Sequence, residues 1–304
     1  MTDALFYYRN KEFLIPSEKT DHVKEEKKEI MAQSPIEKIP MEEGSKAKKV
    51  YAVMSGKGGV GKSLVTTMLA VAANRALQKK REKASGETAT ESVASGSIAI
   101  LDGDITGPSI PNAFDLHGMA DSDGQLLSPM VTEGGIKVMS INLLLQSETQ
   151  PVIWRGPVLS SAIRQFWNEV HWGDVDSLFI DCPPGTGDVV LTILQSIPVD
   201  GIIIVTTPQD LVSMIVAKAV NMARLMGIPV IAAVENMSWY ECPDCHTRHE
   251  IFGKSQIEKL AKDYRIPHIA KLPIDPSITA LCDSGRAEEI PDSFLEYLSG
   301  IIEG

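Results

Sequence analysis

Short apolar runs recur along the chain, each bounded by polar or glycine-rich turns. Examples are Val-Tyr-Ala-Val-Met at 50–54, Ile-Ala-Ile-Leu at 98–101, Ile-Ile-Ile-Val at 202–205 and Val-Ile-Ala-Ala-Val at 230–234. Runs of this length without alternation predict strands buried on both faces. Strands are predicted over 49–54, 97–101, 136–141, 177–180, 201–206, 230–234 and 268–272. Amphipathic stretches lie between them and predict helices over 64–77, 158–170, 189–197, 211–226, 255–263 and 293–302. In 158–170, Leu159, Ile163, Phe166 and Val170 share one face. The helix over 211–226 closes at Gly227, with Pro229 beyond it. Strand and helix alternate, which predicts an α/β fold with a doubly wound, mostly parallel sheet and helices on both faces.

The polar stretches set the boundaries. Residues 1–48 are rich in Lys and Glu and carry too little apolar surface to offset the entropy of ordering, so they read as a flexible arm. The folded domain is expected to begin at Lys49 and run to the end. Residues 79–96 read as a long exposed loop, 106–111 (Thr-Gly-Pro-Ser-Ile-Pro) as irregular, and 121–135 as a loop or hairpin. The 304 residues are 43% hydrophobic and 23% charged, as in a soluble globular protein. A net charge of −11 argues against nucleic acid or an anionic membrane surface as partner. No apolar run is long enough to cross a bilayer, and there is no signal-peptide pattern. Four cysteines do not form a secreted disulfide framework, so a cytoplasmic setting is expected.

Ser-Gly-Lys-Gly-Gly-Val-Gly-Lys-Ser at 55–63 joins the first strand to the first helix and fits the phosphate-loop pattern G-x-x-x-x-G-K-[ST]. Gly56, Gly58, Gly59 and Gly61 let the backbone turn its N–H groups inward around an anion, with Val60 between them. The helix start adds its positive end. Lys62 is expected on the β and γ phosphates and Ser63 on Mg²⁺, with Leu64 completing the nucleotide-binding run.

Carboxylates stand at two further strand ends. Asp181 opens Asp-Cys-Pro-Pro-Gly-Thr-Gly-Asp and is placed to hold Mg²⁺ with Ser63. Its loop suits a sensor of the γ-phosphate. Asp102 and Asp104, separated by Gly103, are read as pointing to opposite sides of the segment and as doing different jobs. Asp104 is assigned to positioning the attacking water and Asp102 to the outer shell of Mg²⁺.

Cys242-Pro243-Asp244-Cys245 follows the strand ending at Val234. Two thiolates at this spacing fit one metal without completing its coordination. Three completions are open: His246 and His249 could finish a zinc site, the pair could be a redox disulfide, or a two-fold axis could join two pairs around a [4Fe–4S] cluster. Cys182 reads as a packing residue, and Cys282 has no partner in sequence.

Lys57 makes the phosphate loop resemble the deviant loop of the MinD, ParA and nitrogenase iron-protein class. In that class the extra lysine reaches across a nucleotide-sandwiched dimer to the partner's phosphates. The resemblance thus implies a homodimer with Lys57 catalytic beside Lys62 and Asp104. Further motifs are Leu-Asp-Gly-Asp-Ile-Thr-Gly-Pro-Ser at 101–109, Trp-Arg-Gly-Pro at 154–157, Glu-Asn-Met at 235–237 and Leu-Pro-Ile-Asp-Pro at 272–276. Together with the loops above, they resemble the Mrp/Nbp35 (ApbC) family of P-loop ATPases that carry iron–sulfur clusters, over residues 49–286. This implies a single MinD-like domain, ATP with Mg²⁺ at the dimer interface, and Asn236 against adenine. It implies Pro273 in the base pocket, a [4Fe–4S] cluster bridged by Cys242 and Cys245 of both subunits, and cluster transfer to apo-proteins. The arm lacks the four-cysteine cluster of the eukaryotic branch and is too short for the accessory domain of many bacterial members. Two rivals remain. A MinD/ParA-type positioning ATPase should end in a basic amphipathic helix, whereas 294–304 has no Lys or Arg. A zinc-stabilised P-loop enzyme would act on a small metabolite, for which no pocket is identifiable.

Overall fold

A computed structural model describes residues 38–84, 96–104, 109–144, 156–209 and 212–302. Its elements in chain order begin with β1 (Lys46–Ser55), α1 (Lys62–Ala84), β2 (Ile98–Asp102), α2 (Ser109–Ala113), β3 (Met130–Val131) and β4 (Lys137–Ser140). There follow α3 (Gly156–Asn168), β5 (Asp174–Asp181), α4 (Asp188–Ser196), β6 (Gly201–Thr206), α5 (Val212–Met226) and β7 (Val230–Glu235). The last are β8 (Tyr240–Glu241), β9 (Arg248–His249), α6 (Ile257–Tyr264), β10 (His268–Lys271), α7 (Pro276–Asp283), α8 (Asp292–Leu295) and α9 (Ser299–Ile302).

Eight strands form one sheet in the order β10-β7-β6-β1-β5-β2-β4-β3. Every pairing is parallel except β3 with β4. Side chains alternate between the faces, so each strand feeds two cores. Ala52, Met54, Leu101 and Ile180 pack with Ile163 and Phe166 of α3, Ile193 of α4 and Ala219 of α5. Val53, Ile100, Phe179 and Val205 pack on the opposite face with Val65, Met68 and Leu69 of α1 and with Leu298. Burial on both faces is why the strands read as unbroken apolar runs. β1 lies between β5 and β6: the chain passes from β1 to β2 on one side and later from β5 across β1 to β6 on the other, and the carboxyl ends of these strands form one rim. In open α/β sheets ligands bind at such a switch point.

Several boundaries differ from the sequence reading. β1 starts at Lys46 rather than Lys49, because backbone pairing with β5 from Lys46↔Asp174 onward needs no apolar side chains. The last residues of the expected arm are held in place. Ile39 N–H donates to Ser196 O at 2.8 Å, and the Trp167 indole donates to Ile39 O at 2.7 Å. Residues 1–37 lie outside the described residues. The loop expected over 79–96 is helix to Ala84. Residues 79–84 contain no breaker, and Lys79 joins Arg75 in pairing with Asp292, at 3.1 and 2.6 Å. Residues 85–95 lie outside the described residues.

Pro111, expected to exclude regular structure, sits in the short α2, where an early helical position has no N–H partner to lose. The single helix expected over 293–302 is three short pieces: α8, a 3₁₀ turn at Glu296–Leu298, and α9. Helix α7 was not expected. Its signal was Asp275-Pro276, in which Asp275 accepts from Ser277 N–H as N-cap and Pro276 opens the helix. Among the described residues, no helix is long and apolar enough to cross a membrane.

Candidate functional site

The phosphate loop spans the gap from β1 to α1 and encloses a cavity of about 270 Å³ lined by Gly58 to Leu64, Asp104 and Pro184. Gly59 and Gly61 have φ of 77° and 79°, a region that side chains disfavour. At Gly61 the constraint is double, since an added Cβ would stand 2.2 Å from Asn236 Nδ2. That amide is there because it donates to Val60 O at 3.0 Å, tying the end of β7 to the loop. Buried Val60 and the bond from Ser55 Oγ to Lys57 O, 2.9 Å, fix the rest.

Lys62 is 5% exposed, and its ammonium is 2.8 Å from Asp181 Oδ2 and 3.3 Å from Asp104 Oδ2. It makes no aligned hydrogen bond. Burial by itself would lower its pKa, but Asp181 and then Asp104 outweigh that and hold it above the ordinary lysine value. Asp181 is fully buried at the end of β5. Its Oδ2 also accepts from Ser63 Oγ at 2.6 Å, and its Oδ1 from Thr66 Oγ1 at 2.7 Å. Asp102 stands opposite Asp181 in the register of β2 and β5. It accepts from Ser140 Oγ at 2.9 Å and from Asp104 N–H at 3.1 Å. Burial, then repulsion from Asp181, pushes its carboxyl up to about 8.

Asp102 and Asp104 were expected on opposite sides, but positions two apart on an extended chain share a side, and Asp104 reaches Lys62 while Asp102 stands beside Asp181, the other partner of Lys62. The strand ends at Asp102, and the chain folds back so that Asp104 N–H reaches the Asp102 carboxylate. Three acidic groups and one cation thus share a small buried volume. A buried ammonium beside a glycine cradle fits a polyphosphate, and the Ser63 and Asp181 oxygens fit a hard divalent cation.

A second cavity, about 410 Å³, adjoins the loop at Leu64 and Asn236. Met68, Met237, Pro273, Ile274 and Phe294 supply mostly apolar walls, and its size suits a nucleoside base. Asn236 and Pro273 both line this cavity. Lys57 does not join Lys62. Its ammonium points out of the loop and donates to Gln209 after β6.

Cys242 and Cys245 occupy the turn of the β8–β9 hairpin, six residues after Asn236. Cys242 N–H donates to Thr247 O at 3.0 Å and Cys242 O accepts from His246 N–H at 2.9 Å. The Thr247 hydroxyl, then backbone N–H groups and Cys242, lower the Cys245 thiol from its ordinary value. Cys242 is half-buried and Cys245 exposed, whereas Cys182 is fully buried. His246 faces Glu241 at 3.4 Å, and His249 stands opposite Tyr240. Among the described residues, no three His, Cys, Asp or Glu side chains gather as a metal site. Sequence reasoning missed Thr66, Ser140 and Gln209. Thr66 was findable, being three residues after Ser63 and so on the same helix face. Ser140 and Gln209 carried no such signal.

The family model of the NUBPL iron-transfer P-loop NTPases matches residues 46–297. The iron-sulfur cluster carrier protein of Methanocaldococcus jannaschii is 44% identical over 243 residues, 79% of this chain and 78% of that one. That of Clostridium perfringens is 42% identical over 250 residues, 80% and 81% of the two chains. A nucleotide-binding protein from Archaeoglobus fulgidus, solved with ADP, superposes with a TM-score of 0.69 at 39% identity, covering 82% of this chain and 91% of that one. The cell-division ATPase MinD of Pyrococcus furiosus, 17% identical with a TM-score of 0.54 over 84% and 98% of the chains, shares the fold. A match over nearly all the described residues, together with these identities, shows that the chain belongs to the iron–sulfur carrier ATPases of Mrp/Nbp35 type within the ParA/MinD class of P-loop NTPases.

Proposed function

We propose that this protein is a cytoplasmic homodimeric ATPase that holds a [4Fe–4S] cluster between its subunits and hands it to apo-proteins. The observation that carries this reading is the pair Cys242 and Cys245 on a short hairpin, six residues from an asparagine bound to the phosphate loop. One chain offers two thiols at ligand spacing. A cubane cluster normally takes four, and a two-fold axis beside the pair supplies the others.

In this reading the glycine cradle and Lys62 bind the phosphates of ATP, and the 410 Å³ cavity with Asn236 and Pro273 takes the base. Ser63 and Asp181 hold Mg²⁺, with Asp102 in its outer shell; the ion supplies charge neutralisation at the phosphates. Asp104, at the mouth of the loop, positions the attacking water. Lys57, directed outward, serves the partner's nucleotide. When Lys62 turns to phosphate, Asp181 gives up its pairing with the ammonium and can face the cation.

Anaerobic reconstitution with iron and sulfide tests the cargo. About one four-iron cluster per dimer is expected, with broad visible absorption. Cys242→Ala and Cys245→Ala should each lose it, and Cys282→Ala should keep it. One zinc per monomer, lost in His246→Ala and His249→Ala and without visible colour, would overturn the carrier reading and leave the ATPase untouched.

A further inference from the structure

A hairpin of two residues per strand is not self-supporting. The outgoing strand of the cysteine hairpin is well anchored. Trp239 O accepts from Ile274 N–H at 2.7 Å, and Tyr240 bridges to Ile274 in parallel register. Ile274 is itself a wall of the 410 Å³ cavity. The Trp239 ring also meets Tyr297 edge-on, with centroids 6.0 Å apart.

The returning strand is exposed, and Arg248 is its side chain that reaches back. The guanidinium lies over the Trp239 ring, 4.9 Å from its centroid, and Nε donates to Glu241 Oε2 at 3.0 Å. Glu241 stands directly opposite Arg248 in the hairpin register. One planar cation thus joins the strand after the cysteines to two residues before them. We infer that Arg248 is a positioning residue that pins the Cys242–Cys245 turn to the wall of the base cavity through Trp239. This rests on the cluster reading of the cysteine pair and adds what fixes the spacing of its thiols. Removing the clip leaves both cysteines in place but lets the turn open, so a shared ligand is held less tightly.

The test uses the full-length protein under anaerobic conditions with Cd²⁺ as probe, read by the ultraviolet thiolate-to-cadmium absorption. Cys242→Ser identifies the signal of the pair. Arg248→Ala is expected to weaken Cd²⁺ binding about fivefold, the scale of an exposed cation–π contact. ADP affinity should stay at the wild-type value, showing that the cavity wall is intact. Arg248→Lys keeps a charge for Glu241 and loses the planar stack, so it should fall between the two. Trp239→Leu should reproduce the loss. The Arg248 side chain is 61% exposed, so its replacement leaves the core undisturbed. Wild-type Cd²⁺ affinity in both Arg248→Ala and Trp239→Leu would overturn the inference. A wild-type protein that binds neither Cd²⁺ nor a cluster through Cys242 and Cys245 would instead sink the cluster reading.

Discussion

Thr66 donates to Asp181 Oδ1 at 2.7 Å, while Ser63, three residues earlier on the same helix face, takes Oδ2 at 2.6 Å. The two hydroxyls hold the carboxylate from both oxygens and leave it no rotational freedom. Thr66→Val should therefore raise the Mg²⁺ concentration needed for half-maximal ATPase activity by about 10–100-fold, as loss of a supporting hydrogen bond at a metal site does. Leaving a buried oxygen unbonded should also cost about 1–3 kcal/mol of stability. Thr66→Ser should restore both. Equal Mg²⁺ dependence in Thr66→Val and wild type would remove Thr66 from the site.

The two loop lysines should separate in function. Lys62→Ala is expected to abolish nucleotide binding in calorimetric titration. It also strips the cation from buried Asp181, which should destabilise the free protein by about 3–5 kcal/mol. Lys57→Ala should bind nucleotide normally and lose hydrolysis, since its ammonium points away from the cavity toward Gln209. Normal phosphate release by Lys57→Ala would contradict a role in the partner's site.

Asp104 lines the phosphate cavity, 3.3 Å from the Lys62 ammonium. Asp104→Asn keeps the shape and removes the charge. Mg²⁺–ATP should still bind, and steady-state turnover should stop, because water positioning is lost and the cradle is not. Unchanged turnover would exclude Asp104 from the chemistry.

Asp102 predicts a pH dependence. Burial and Asp181 raise its carboxyl from 3.8 to about 8, so the folded protein retains a proton that the unfolded chain has released. A raised acid stabilises the fold fully below its unfolded pKa, and that contribution disappears as pH climbs through the folded one. Without nucleotide or Mg²⁺, Tm should decline between about pH 4 and pH 8, and Asp102→Asn should flatten the decline. The same slope in the variant would show that other groups set it.

Much of the site was legible because its chemistry is local in sequence. The loop at 55–63 needs glycine at Gly59 and Gly61 for positive φ, and lysine and serine at the helix start. Those demands fall within nine consecutive residues. The strands were legible because burial on both faces leaves apolar runs at their centres, as at 50–54, 98–101 and 202–205. The extension of α1 over 79–84 was misread because a helix leaving the sheet has no apolar stripe, so its periodicity vanishes while its hydrogen bonds persist.

What the sequence by itself determined is the class of the protein: an anion-binding loop between a buried strand and a helix, acidic residues at strand ends, and one pair of cysteines at ligand spacing. Only the tertiary structure decided how these meet. Asp102 and Asp181 are 79 residues apart in the chain and directly opposed in the sheet, and Gly61 is closed by an amide from Asn236. Arg248 reaches back over Trp239 because the hairpin sets β9 beside β8, which Trp239 immediately precedes. Register and crossover connections set such distances, and both arise from packing summed over the whole sheet, which no local stretch of sequence encodes.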